Sequence, residues 1–115
     1  MKVEIWHNPN CSKSRAALEL LRASNRELLV VHYLETPPSA ARIEEVLALL
    51  GIDPRGLMRK SEREYHERGL DDPKLSRTEL VRAMVEAPVL IERPVVITER
   101  GAVVARPPER SNEVL

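Results

Sequence analysis

Val3-Glu4-Ile5-Trp6 alternates apolar and polar, runs into His7-Asn8-Pro9-Asn10-Cys11, and passes at once into a helical pattern from Ser12. A strand that turns so tightly into a helix commits the chain to a strand–helix unit from its first residues. The helix, Ser12 to Ser24, carries Ala16, Ala17, Leu20 and Leu21 at helical spacing. The next apolar run, Leu28-Leu29-Val30-Val31-His32-Tyr33, is of strand length and reads as a buried strand. The helix between them is then a crossover, so the two strands are expected parallel in one sheet.

Thr36-Pro37-Pro38-Ser39 breaks the chain, and Ser39 is placed to cap the next helix. That helix puts Ile43, Val46, Leu47 and Leu50 on one face and stops at Gly51. Asp53 to Lys74 is polar and interrupted by Pro54, Gly56, Gly69 and Pro73, which predicts short helical turns. Ser76-Arg77-Thr78-Glu79 has the pattern of a capping box, opening a helix to about Glu86, ahead of Pro88. Val95 to Thr98 and Ala102 to Ala105 read as strands of a hairpin around Arg100-Gly101. Arg106-Pro107-Pro108 ends it, and Pro108 opens a last short helix through Val114. At 115 residues a single domain, 1–115, is expected, with a helical insertion at about 53–87.

The chemistry points to Cys11, the only cysteine of the chain. One cysteine excludes an internal disulfide, a multi-cysteine zinc site and a resolving thiol in the same chain. At the start of a helix the first N–H groups lack helical partners, and with the helix dipole they favour thiolate over thiol. Basic neighbours add to this effect, and His7, Lys13 and Arg15 are candidates. The same N–H groups suit an oxyanion. Arg15 stands at the positive end of the helix, an unfavourable place for a cation unless an anion is near. Against this, a lone cysteine is commonly an inert buried residue, and His7 has the alternative of simply closing the strand. His32 and His66 read as structural or surface residues.

Composition narrows the partners. The 18 basic and 18 acidic residues cancel, which argues against a general nucleic-acid binder. No apolar run approaches the roughly 20 residues of a membrane span, and the N-terminus leads straight into a strand rather than a signal peptide. A lone activated thiol suits a reducing compartment, so a cytoplasmic protein without membrane partners is expected. Fourteen of the 18 basic residues are arginine, so each arginine has to be argued from position.

The order β-α-β-α, helical insert, β-β-α is similar to that of thioredoxin-like folds. The expected class is α/β, a mixed four-stranded sheet flanked by helices. In such folds a proline before the third strand is often cis and faces the cysteine, which makes Pro94 the candidate. In more detail the chain resembles the glutaredoxin-linked arsenate reductase family of the thioredoxin superfamily. The matching stretches are His7-Asn8-Pro9-x-Cys11-x-x-Ser14-Arg15, Tyr33-Leu34-Glu35-Thr36-Pro37, Leu57-Met58-Arg59-Lys60, Ile91-Glu92-Arg93-Pro94-Val95-Val96 and Ala105-Arg106-Pro107. They cover nearly the whole chain, in order. Ser12-Lys13 after the cysteine is similar to a chromosomal subgroup of that family.

The resemblance implies a catalytic Cys11 assisted by His7. It implies oxyanion binding by Arg59, Arg93 and Arg106, with Ser14 and Arg15 beside the cysteine. The implied reaction takes arsenate to arsenite, with no bound cofactor or metal, glutathione as co-substrate and glutaredoxin as partner. Three other readings compete. A regulator resembling the Spx group, which binds RNA polymerase, would carry a Cys-x-x-Cys switch, but Ser14 stands where its second cysteine would be. A glutathione- or oxyanion-binding module without turnover uses the same residues. A cysteine phosphatase needs five residues between Cys and Arg, whereas three separate Cys11 from Arg15.

Overall fold

The structure, a computed structural model, describes residues 2–115. It forms four strands and four α-helices, β1 Lys2–Trp6, α1 Ser12–Arg22, β2 Glu27–Val31, α2 Ala40–Leu50, α3 Arg63–Glu67, α4 Arg77–Glu86, β3 Val95–Thr98 and β4 Gly101–Val104. Short 3-10 turns lie at Pro54–Leu57, Pro88–Leu90 and Pro108–Glu113. The last is the short closing helix expected from Pro108, in 3-10 form. The sheet order is β2-β1-β3-β4, with β1 parallel to β2, and β3 antiparallel to both β1 and β4. This is the mixed α/β sheet anticipated from the element order. Among the described residues no helix is long and apolar enough to cross a membrane.

The residues group into two compact units. One runs through Thr36 and resumes at Arg93–Leu115; the other is Pro37–Glu92. In the first unit, strand registry sets Val30, Ile5, Val96 and Val103 in one row across the sheet. That row packs with Ala17, Leu18 and Leu21 of α1 and with Val114 in a shared core. The buried stripe of α1 is Ser14, Ala17, Leu18 and Leu21, not the Ala16, Ala17, Leu20 and Leu21 face expected from apolar spacing. The stripe begins on a polar residue, which a search for apolar positions passes over. β2 also differs from expectation. It pairs only with β1, so it is an edge strand, and Leu29 is 40% exposed. It stops at Val31 because His32 accepts backbone bonds from Glu35 and Thr36, 3.0 and 2.9 Å, which turn the chain away.

In the second unit, α2 buries Ile43, Val46 and Leu47, and α4 buries Leu80, Val81, Ala83 and Met84. Arg77 Nη2 meets Glu44 Oε1 at 2.7 Å, tying α4 to α2. Gly51 ends α2 with φ 69°, a left-handed cap where a Cβ is strained. Both arms of the Ser76–Glu79 capping box are formed.

Candidate active site

The segment from His7 to Ser14 folds back on itself. The Cys11 N–H donates to Asn8 O at 3.0 Å, and the Asn10 N–H donates to Asn8 Oδ1 at 3.0 Å. Asn8 suits this because its side chain bonds the backbone two residues on. Cys11 thereby becomes the N-cap of α1, in extended backbone, and its carbonyl accepts from the Arg15 N–H at 3.0 Å. The thiol is partly exposed. It makes no formed cap bond, yet the Ser14 and Lys13 N–H groups lie where they stabilise charge on it.

Burial pushes the Cys11 thiol up, but the Ser14 N–H, the Arg93 guanidinium and the Lys13 N–H together outweigh it and hold the thiol below its ordinary value. Arg93 acts by hydrogen bond and by charge. It precedes Pro94 in a cis peptide bond. Arg106 Nη1 lies 4.0 Å from Cys11 Sγ and donates to Arg93 O at 3.1 Å. The Ala105 N–H donates to Pro94 O at 2.9 Å. That bond keeps the two arginine-bearing segments side by side, so Arg93 and Arg106 converge on one sulfur. Arg106–Pro107 is also cis, a feature the sequence did not announce.

His7 is 4% exposed, and its Nδ1 lies 2.7 Å from Ser14 Oγ. The same Oγ accepts from the Asn8 N–H at 3.0 Å. Burial, followed by the nearby His32, Arg22 and Arg15, lowers the His7 pKa, while the Ser14 bond raises it. The net shift is downward, which favours the neutral ring over a cation beside the thiol. Ser14 is fully buried, its hydroxyl engaged by His7 and Asn8. Arg15 reaches Pro9 O through Nη1 at 2.8 Å. Both side chains thus bond within the turn that carries Cys11, beside which the resemblance implies an oxyanion. His32, which reads from sequence as structural or surface, sets its ring 5.8 Å from that of His7 at 66°.

Arg59 belongs to the second unit. Its N–H donates to Leu90 O at 2.7 Å, Glu92 N–H donates to Leu57 O at 2.7 Å, and Met58 bridges Ile91. The Arg59 side chain pairs with Glu62 through Nη1, and its Nε faces Glu92 Oε1 at 3.7 Å. Sequence reasoning passed over both carboxylates. Glu62, three residues on, was legible as a neighbour; Glu92 was not. Among the described residues no group of three or more His, Cys, Asp or Glu side chains is disposed to hold a metal ion.

Set beside known proteins, the chain matches the ArsC family over residues 6–114. It is 46% identical over 115 residues to the uncharacterized protein YfgD of Escherichia coli K12, covering 99% of this chain and 97% of that one. It is 44% identical to an arsenate reductase of Neisseria meningitidis serogroup B, covering 99% and 98%. The arsenate reductase structure from Vibrio cholerae superimposes with a TM-score of 0.96 at 44% identity, covering 100% of this chain and 98% of that one. The chain belongs to the ArsC family.

Proposed function

We propose that this protein reduces arsenate to arsenite, with Cys11 as nucleophile and glutathione and glutaredoxin as the reducing partners. The observation that carries the reading is the convergence of Arg93 and Arg106 on a thiol held below its ordinary pKa. The names of the relatives in Neisseria and Vibrio support the substrate. In the first step the Cys11 thiolate attacks arsenic, and an arsenate oxygen leaves as water with two protons. A glutathione thiol then attacks the Cys11 sulfur. The S–As bond breaks, its electron pair stays on arsenic, and As(V) becomes As(III). The products are arsenite and a Cys11–glutathione disulfide. Glutaredoxin and a second glutathione return Cys11 to thiol. In sum, arsenate and two thiols give arsenite, one disulfide and water.

Arginine suits the anion role because its planar fork stays charged and donates two parallel bonds. Arg93 and Arg106 are assigned to the oxyanion on their closeness to the sulfur, and Arg59 on the resemblance. Ser14, His7 and Arg15 are assigned to holding the cysteine turn in shape. The whole chain, 1–115, is taken as one working domain in the reducing cytoplasm. The test is arsenate-dependent NADPH oxidation coupled through glutathione reductase, glutathione and glutaredoxin. Turnover abolished by Cys11→Ser is expected. Absence of turnover with every component present would leave a non-catalytic glutathione- or oxyanion-binding module as the better description.

A further inference from the structure

We infer that His32 is a positioning residue, whose ring acts through His7 and Ser14 to hold the Cys11 turn in the form that stabilises the thiolate. The inference rests on the reading of Cys11 as an activated thiol. All four residues belong to the first compact unit, and they form one line of contacts. The His32 ring stands 5.8 Å from the His7 ring, edge-on at 66°, within the range of a packed aromatic pair. His7 Nδ1 lies 2.7 Å from Ser14 Oγ. Burial opposes charge on Cys11, and the Ser14 N–H leads the groups that favour it.

Backbone bonds fix the line. Trp6 and Val31 are register partners in the parallel pair of β1 and β2, so His7 and His32 are the next residues along neighbouring strands. The His7 N–H donates to Val31 O at 2.8 Å, and His32 O accepts from Glu35 and Thr36 at 3.0 and 2.9 Å. Ser14 Oγ accepts from the Asn8 N–H at 3.0 Å. The hydroxyl proton is then left for a bare Nδ1, which only a neutral ring supplies. His7 is 4% exposed and His32 is exposed, so the ring contact keeps water from one side of the buried imidazole. Burial leads the causes that lower the His7 pKa, followed by the charges of His32, Arg22 and Arg15. Each favours the neutral ring that accepts from Ser14. Removing the His32 ring wets His7, loosens its hold on the Ser14 hydroxyl, and lets the first turn of α1 shift against the sulfur.

Iodoacetamide alkylation of the full chain, followed against pH, reads the thiolate without arsenate. His32→Ala should raise the Cys11 pKa by roughly half to one unit, the worth of one hydrogen bond to the thiolate. His32→Phe keeps a ring against His7 and should restore the native value. His66→Ala, in the second unit, should leave it alone. In the imidazole nitrogen NMR spectrum of the native chain, His7 should carry its proton on Nε2 and leave Nδ1 bare. A native His7 protonated on Nδ1 overturns the inference whether or not the variants fold. An unchanged Cys11 pKa in His32→Ala overturns it as well, and so does a His32→Phe variant as impaired as His32→Ala. If the shifts appear as expected while the coupled assay shows no turnover, the reductase reading fails alone and the positioning role of His32 stands.

Discussion

Two opposed effects meet at Cys11. Partial burial disfavours the thiolate, and helix N–H groups with Arg93 favour it more. Iodoacetamide alkylation followed against pH should therefore give an apparent pKa below the ~8.5 of free cysteine; a value at or above that contradicts the site. Arg93→Ala should raise this pKa more than Arg106→Ala, because Arg93 supplies both a hydrogen bond and charge. Arg106 Nη1 stands 4.0 Å away. The same shift has a stability consequence of fixed sign. A thiol ionising more readily folded than unfolded stabilises the fold fully above the unfolded pKa, and loses that contribution as pH falls through the folded value. The stability advantage of the native chain over Cys11→Ser in urea melts should grow with pH up to about 8.5. A difference independent of pH would count against a depressed thiol pKa. At this scale the cysteine and its turn were legible in sequence, since Asn, Pro and a helix start are local signals. The lowered pKa of His7 was not, because it comes from burial and from His32, Arg22 and Arg15 set around it.

Among the elements, β1 and β2 show how far local pattern reaches. Both read as strands from apolar runs, but burial follows strand order, a long-range property. Ile5 in β1 is fully buried between two neighbouring strands, whereas Leu29 on the β2 edge is 40% exposed. Ile5→Ala should cost about 2–5 kcal/mol in denaturant unfolding, and Leu29→Lys should stay within about 0.5 kcal/mol of the native chain. Equal losses at the two positions would contradict the strand order. The capping box of α4 was readable from four residues and is formed in full. Ser76→Ala should cost about 1 kcal/mol in the same measurement. The buried stripe of α1 was misjudged because its first member, Ser14, earns burial through hydrogen bonds to His7 and Asn8 rather than through hydrophobicity.

For the whole molecule, the order of elements sufficed to anticipate a mixed four-stranded sheet, since Pro, Gly and capping residues mark the junctions clearly. The grouping into two compact units, with α2 in the second, was not legible; it depends on which helices share a core. Cysteine count reaches further than fold. With one thiol per chain, the two electrons that arsenic takes up require a second sulfur from outside. Intact-protein mass spectrometry after incubation with arsenate and glutathione, glutaredoxin omitted, tests this most directly. The account predicts one glutathione in disulfide linkage to Cys11, formed only with arsenate present and removed when glutaredoxin is added. Arsenite produced while Cys11 carries no glutathione, or produced equally well by Cys11→Ser, would contradict it.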